Sequence, residues 1–421
     1  MTKKLLVVSL MFVFVLRMTV FAQDKTRDTL ELLLDEALVN NLKLRALNKE
    51  WESKKARITA ERSLPQPEVG FGFWGESVET KAGPMKRKYS IKQAIPYPGK
   101  LWLKGDIAQK EAAVAYARYI LEVRGVIENL KSYFYDYFFV VESVHIMEAE
   151  KLILEGIRSS IKSKYETLSA PQQDLVKVDL EIAKIEDKIL KLNKQKNLLR
   201  AQINRILNRP QNSYIKLPLG FRLLAQRVNI DKNELLDKAY AESPHIIIDL
   251  LMLEKQKDKF SLAKQGYIPD FGIMAEYIDI GGGTTNLEND GQDAWMIGFQ
   301  VKVPLWFWKV RSEISSEKAK LEAQEYQVED KENFLSFKIE DLHFRLETEE
   351  QLIDLYKNVI LPESMHNFSV SRIGYEDGVV DFLSFLDAER SVISIKIAEL
   401  KQTVDYMKTV AQIEYIIGED L

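Results

Sequence analysis

One strand-pair pattern occurs twice in a chain that otherwise has the periodicity of long helices. The first copy covers residues 64–74 and 89–96, and the second covers 268–277 and 297–304. In both copies a proline introduces apolar residues that alternate with small or polar ones, and this period of two predicts strands. Pro269 lies 202 residues after Pro67. The fold must therefore insert two strand pairs between long helices.

The rest of the sequence has apolar residues spaced three and four apart, which predicts helices. The longest uninterrupted pattern runs from Leu101 to about Thr167, and a helix of that length would measure roughly 100 Å. Pro362 lies inside another long pattern, where we expect a kink. The predicted helices cover residues 30–63, 101–167, 172–207, 231–266, 310–375 and 379–417.

The two halves repeat this order of helices and strands, which predicts a tandem duplication. Residues 165–176 and 375–386 also align without a gap, so each half has a similar turn between its helices. We expect the two shorter helices of each half to lie end to end beside the long one. The predicted division is a first repeat over 23–210, a linker over 211–230 and a second repeat over 231–421, with strands at about 68–76, 88–96, 270–280 and 294–304.

The N-terminus has the pattern of a secretory signal peptide. Lys3 and Lys4 precede an apolar run over residues 5–16, and Ala22 supplies a small residue at the expected cut. We therefore predict a signal peptide over 1–22. No later stretch approaches 18 apolar residues, so a mature chain that crosses a membrane would cross it with strands.

Composition argues against several classes of site. The chain has no cysteine and four scattered histidines, which excludes disulfides and thiolate metal sites. The net charge of −4 does not suggest a nucleic-acid surface. Glu347, Glu349 and Glu350 lie in a long charged helical pattern, and residues 281–283 form a glycine loop with no helix after it. We predict no enzyme activity, no cofactor and no metal site.

Four strands of about ten residues form a sheet with two open edges, which favours association. Ten residues is also the length of a tilted strand that crosses a bilayer. The last strand has one apolar face, which predicts contact with lipid: Trp295, Ile297, Phe299, Val301 and Val303. Several identical chains that share one barrel would close the edges. The alternative is a soluble coiled-coil protein with a small β-sandwich head.

Together these segments resemble the TolC-like outer-membrane efflux family along essentially the whole mature chain. The motifs that carry the resemblance are residues 93–100, 170–174 and 207–210, and Gly378 through Leu386-Asp-Ala388. The resemblance implies a mainly α fold with β strands. It also implies a homotrimer with a 12-stranded transmembrane β-barrel, continued by a periplasmic α-helical barrel, in the outer membrane of a Gram-negative bacterium. Residues 95–100 and 170–174 look most like the branch that serves heavy-metal cation pumps.

The resemblance also implies partners and site residues at the helix tips. A periplasmic adaptor (membrane fusion) protein would meet the turns at Leu168, Ser169, Gly378 and Val379, and an inner-membrane pump of the resistance-nodulation-division type would complete the system. Charged residues after the tip turns narrow the pore in relatives, which makes three aspartates gate candidates: Asp387, Asp381 and Asp174. The alternative for each is an ordinary helix end, where an acidic residue is favoured by the helix dipole.

Three functions remain open at this point. The first is a passive channel that exports small molecules or metal cations in a tripartite efflux system. The second is the outer-membrane channel of an ABC-driven type I protein secretion system. The third is a non-conducting structural protein that spans the periplasm.

Overall fold

The computed structural model describes residues 29–167, 171–217, 228, 231–283 and 288–421. The predicted signal peptide and most of the predicted linker lie outside these residues. The division of the chain into two repeats and a linker therefore stays a prediction.

The first half of the described chain contains four helices and three strands. Two helices come first, α1 (Thr29–Asn40) and α2 (Leu42–Arg62). The strands β1 (Glu68–Phe73), β2 (Glu79–Thr80) and β3 (Gly83–Ile95) follow. The chain then returns through the long helix α3 (Pro98–Glu166) and its antiparallel partner α4 (Gln172–Ile206).

Among its described residues, the second half has the same order without a counterpart of β2. It begins with α5 (Lys232–Glu242), α6 (Pro244–Lys264) and a 3₁₀ turn, and continues with β4 (Asp270–Ile280) and β5 (Ala294–Lys302). The long helix is α7 (Phe307–Leu355), a π-helical segment (Tyr356–Ile360) and α8 (Leu361–Glu376). The last helix is α9 (Phe382–Ile417).

Each helix that precedes a strand pair is broken once, where the sequence predicted a single helix. Asn41 caps α2, because its side chain accepts hydrogen bonds from the backbone N–H groups of Lys43 and Leu44. Ser243 caps α6 in the same way and is followed by Pro244 at the first helical position. Asn41 and Ser243 are 202 residues apart, which is the spacing of Pro67 and Pro269.

The prediction of the first two strands at about 68–76 and 88–96 is also partly wrong, since it leaves out β2 and the first part of β3, which lie between them. Gly83 has a φ of 120°, a conformation that allows the tight turn between the two strands. The early residues of β3 are ordered by pairing with β4, where Met85 lies opposite Ile280. This pairing joins residues about 200 positions apart and leaves no local signal in the sequence.

The expected irregularity at Pro362 takes the form of a π-helical segment that ends two residues before it. Proline has no backbone N–H and crowds the preceding turn, so the regular hydrogen-bond ladder cannot pass through this position. The helix accommodates the proline by forming one wider, π-helical turn before it. Such turns are a known cause of local helix distortion.

The four long strands form one antiparallel sheet in the order β1-β3-β4-β5, and β2 pairs with β3 alone. The centre of the sheet is the pairing of β3 with β4, which joins the two halves of the chain. β1 and β5 are the two edges.

Below the sheet, α9 packs against both α3 and α7, so the halves are joined along their length. Lys408 on α9 donates to both carboxylate oxygens of Asp136 on α3, each at 2.9 Å. Near the C-terminus Asp420 accepts from Arg124 at 2.8 Å. One apolar cluster lies in each half and a third lies towards the helix tips.

Candidate functional site: the sheet and the helix tips

The sheet presents one face of exposed apolar side chains that extends across all four long strands. The register places Phe71, Tyr89, Tyr277 and Trp295 in one row across the sheet. Exposure in the single chain reaches 79% for Val69 on β1 and 80% for Phe299 on β5. The exposed members of this apolar face are Val69, Phe71, Phe73, Tyr89, Ile91, Phe271, Ile273, Tyr277, Trp295, Ile297, Phe299 and Val301.

The opposite face of the sheet is polar or small. Lys88 on β3 forms an ion pair with Glu276 on β4 at 2.6 Å. Ser90 lies opposite Glu276 on this face. Gln300 and Lys302 lie on the same face of β5, opposite Gly272 and Asp270. A sheet with one apolar and one polar face separates two different environments.

The predicted lipid-facing residues of the last strand lie on this apolar face. Trp295, Ile297, Phe299 and Val301 belong to β5 and are all exposed. Val303, which is also exposed, lies just beyond the end of β5. The apolar face also includes β1, β3 and β4. The sequence prediction named only the residues of β5, which is one edge of the sheet.

The tip of the second half is a tight turn between α8 and α9. Gly378 has a φ of 75°, which is the left-handed conformation that glycine adopts readily at a helix C-terminus. The backbone N–H groups of Val379 and Val380 both donate to the carbonyl of Gly374, at 2.8 and 2.9 Å. Val379 is exposed at the turn. The equivalent predicted residues of the first half, Leu168 and Ser169, lie outside the described residues.

Asp381 is the N-cap of α9. Its Oδ1 accepts from the backbone N–H groups of Leu383 and Ser384, at 2.9 and 3.1 Å. The Ser384 hydroxyl donates to the Oδ2 of Asp381 at 2.7 Å. This bond and the backbone bonds hold the pKa of Asp381 below its ordinary value. This geometry gives Asp381 a structural role at the helix end, which was the alternative that the sequence left open.

Behind the turn, aromatic rings fill the space between α8 and α9. The ring of Tyr375 is nearly parallel to that of Phe385, with centroids 5.4 Å apart, and Phe368 stacks on Phe385 at 5.9 Å. These rings border an apolar cluster that we call the tip core, which contains Met147, Leu154, Ile161, Val178, Ile185, Phe382, Phe385, Leu386 and Ile393. The tip core joins α9 to both α3 and α4.

Asp387 lies at the surface of α9, with its side chain 71% exposed, and accepts from Arg390 at 2.8 Å. Arg390 also donates from Nε to Glu181 on α4 at 2.9 Å and makes a second contact with the same carboxylate. Burial alone would raise the pKa of Glu181, but the bonds from Arg390 and Lys184 outweigh it and lower the pKa. Arg390 thus ties the candidate gate carboxylate to the first hairpin.

Asp174, the gate candidate of the first half, lies in the first turn of α4. Its side chain is mostly covered and lies 3.7 Å from Lys177. The structure does not place it beside Asp387, because the Arg390 bridge from Asp387 reaches Glu181, two turns further along α4. Sequence reasoning missed Arg390, although its spacing of three residues from Asp387 is the usual one for a helical ion pair.

In the part of the chain that the structure describes, no helix is long and apolar enough to cross a membrane. The same residues contain no group of three or more histidine, aspartate or glutamate side chains that could hold a metal ion.

Comparison with known proteins gives a consistent assignment. Residues 235–419 match the family model described as outer membrane efflux protein. No curated protein matches the sequence at a significant level.

Solved structures match the chain over almost its full length. A membrane protein from Pseudomonas aeruginosa has a TM-score of 0.80 and 14% identity over 94% of this chain and 91% of its own. CusC has a TM-score of 0.77 and 14% identity over 95% of this chain and 96% of its own. The open state of the MtrE outer membrane channel from Neisseria gonorrhoeae has a TM-score of 0.76 and 14% identity, covering 94% of each chain. At this identity the likeness establishes the fold, and it confirms the predicted fold class of the chain.

Proposed function

We propose that this chain, which belongs to the outer membrane efflux protein family, is the passive export channel of a tripartite efflux system. It is an outer-membrane protein with a long helical extension into the periplasm. The observation that carries the proposal is the apolar face of the sheet. Exposed aromatic and aliphatic side chains on all four long strands would be unfavourable in water and are suited to lipid.

The open edges of the sheet support a trimer. Among the described residues, β1 and β5 each pair with a strand on one side only. An unpaired edge inside a bilayer is unfavourable because lipid offers no hydrogen bonds. Three copies would supply twelve strands, with β5 of one chain beside β1 of the next. The polar face of each sheet would then line the interior of the barrel.

The helices also carry apolar side chains that the single chain leaves uncovered. Leu190 and Leu198 on α4 are exposed, and so are Tyr326, Phe337 and Phe344 on α7. Contacts with neighbouring copies would bury these side chains, and α3, at 69 residues, is about 100 Å long. A trimer of such helices would form a tunnel long enough to extend deep into the periplasm.

The tips are the proposed control point. Asp387, on the exposed surface of α9, would contribute one carboxylate per chain to a ring around the axis, and such rings select or repel ions. Asp381 and Asp174 are secondary gate candidates because both have local structural partners. Gly378 and Val379, together with Leu168 and Ser169 of the first half, are the proposed contacts for a periplasmic adaptor protein.

The proposed driving component is an inner-membrane pump of the resistance-nodulation-division type. Small molecules or metal cations are the proposed cargo. The resemblance of residues 95–100 and 170–174 to the metal-cation branch favours cations. A passive conduit needs no cargo-binding site of its own, since the pump selects what enters.

The test is a deletion strain complemented in parallel with the wild-type gene and a Phe299→Arg variant. Loss of the gene is expected to lower tolerance to particular metals or drugs, and only the wild type should restore it. Unchanged tolerance across a broad panel would overturn the efflux proposal. If the deletion strain instead fails to release a protein into the medium, the chain would be a channel for protein secretion.

A further inference from the structure

Two buried glutamates lie opposite each other in the contact between α9 and α3. Glu389 is 3% exposed and Glu150 is 8% exposed. Their carboxyl groups are within hydrogen-bonding reach of each other. The Oε1 atom of each accepts no hydrogen bond from any described residue. Two carboxylates cannot hydrogen-bond to each other unless one of them carries a proton.

The surroundings of the pair are apolar along both helices. Met147 and Leu154 lie one turn before and one turn after Glu150 on α3, and Leu386 and Ile393 flank Glu389 on α9. All four belong to the tip core. A pair of charges in such a place would be strongly unfavourable without compensation.

Two nearby cations, Arg390 and Lys184, are already paired with other groups. Arg390, beside Glu389 in the chain, uses its Nε and both terminal nitrogens for Glu181 and Asp387. Lys184 on α4 donates to Glu181 as well, at 2.8 Å. Among the described residues neither cation donates to Glu389, although the charge of Arg390 partly opposes the effect of Glu181 on Glu389.

The remaining helix against this part of α9 is α8, and it contributes aromatic rings. Phe368 and Tyr375 stack on Phe385. Tyr375 is the titratable group among them, and burial raises the pKa of its hydroxyl. It therefore stays neutral over the pH range in which Glu389 loses its proton.

We infer that Glu389 and Glu150 share one proton and form a pH-dependent contact that fastens α9, the helix of Asp387, to α3. With the proton present the pair is a carboxylic acid donating to a carboxylate, a strong hydrogen bond. With the proton removed the pair becomes two like charges in an apolar setting, which repel. The contact is named here the carboxyl pair.

The direction of the pH dependence follows from the protonation of Glu389. Burial, then the Glu150 carboxyl and the charge of Glu181, raise the pKa of Glu389 above its ordinary value of 4.5. A group whose pKa is raised in the folded state stabilises that state fully below its unfolded pKa. This stabilisation is lost as the pH rises from about 4.5 through the raised folded value. Alkaline conditions should therefore loosen the lower part of α9.

The test is hydrogen–deuterium exchange of the full-length protein in detergent, followed in peptides from residues 382–395. After correction for chemical exchange rates, exchange in the wild type should rise with pH, by up to about tenfold per pH unit, the limit for one linked proton. Glu389→Gln keeps a donor and cannot ionise, so its peptides should stay protected with no pH dependence. If Glu389→Gln does not fold, Glu150→Gln serves instead: Glu389 can still ionise, but the new amide donates to its carboxylate, so exchange should depend on pH less steeply than in the wild type.

Two variants separate the proton-dependent contact from simple packing. Glu389→Ala removes the hydrogen bond and should exchange faster at every pH, whereas Glu148→Gln, at an exposed site on α3, should match the wild type. The same pH dependence in the wild type and in Glu389→Gln would overturn the inference, and so would a wild type without any pH dependence. The exchange measurement does not depend on channel activity, so a failure of the proposed function would leave this test intact.

Discussion

Arg390 shows how one side chain connects a surface charge to the interior of the protein. Its guanidinium group holds Asp387 on its own helix and Glu181 on α4. The contact with Asp387 is exposed, and such an ion pair has little effect on stability. The pair matters for electrostatics instead, because the positive charge of Arg390 reduces the negative potential that Asp387 produces at the surface of α9.

The first prediction therefore concerns ion selectivity. Arg390→Ala should leave Asp387 uncompensated and make the channel more selective for cations, because three free carboxylates would surround the axis. The measurement is the reversal potential of reconstituted channels in a salt gradient.

The matched control is Arg390→Lys, which keeps the positive charge next to Asp387. It should stay close to the wild type, while Asp387→Asn should shift the reversal potential in the opposite direction to Arg390→Ala. Identical reversal potentials in all four proteins would show that Asp387 does not face the ion path.

At the scale of helices and strands, the two halves join where side chains from both pack together. The tip core does this at the lower end, since Phe385 of α9 packs with Leu154 of α3 and Val178 of α4. Aromatic stacking with Tyr375 and Phe368 adds to it. The tip of the second hairpin therefore depends on the first hairpin for its order.

The second prediction follows from this packing. Phe385→Ala should reduce the local free energy of opening of α9 by about 3–5 kcal/mol, the usual cost of removing a buried phenylalanine. Amide exchange in residues 382–395 measures this directly. Leu383→Ala, on the exposed side of the same turn, is the control and should leave exchange nearly unchanged. Equal effects of the two substitutions would contradict the packing described.

At this scale, elements with local sequence signals were predictable, and those that depend on distant contacts were not. The strands were predictable because alternation and flanking prolines are local signals, and so were the long helices. The break at Asn41 was not, because its side chain also donates to the carbonyl of Ile206 on α4, a contact made only in the folded chain. The start of β3 depends on β4 in the same way. Asp387 was identified by a motif, whereas the pairing of Glu389 with Glu150 required knowledge of which helices touch.

At the scale of the whole molecule, the polarity of the sheet determines the environment in which the protein is stable. Its two faces differ in polarity, and adjacent residues of one strand point to opposite sides. Phe299 is on the apolar face and Gln300 on the polar face. Neighbouring positions can therefore be used to compare lipid with the barrel interior.

The third prediction uses this pair of positions. Phe299→Arg should destabilise the membrane-inserted form by about 2–4 kcal/mol, the effect of arginine near the bilayer midplane on the lipid face of a barrel. Gln300→Arg should be tolerated, because its side chain would enter the water-filled interior. The amount of folded, heat-modifiable oligomer in outer-membrane fractions measures both. A greater loss for Gln300→Arg would show that the faces are assigned the wrong way round.

The most direct test of the central claim, that three copies of this chain form one conducting channel, is planar-bilayer recording from protein whose mass is measured in the same preparation. We expect discrete conductance steps from a particle of three times the mature chain mass, with larger or more frequent openings for Asp387→Ala. A trimer that stays silent even with Asp387→Ala would contradict it, and so would conductance from a single chain.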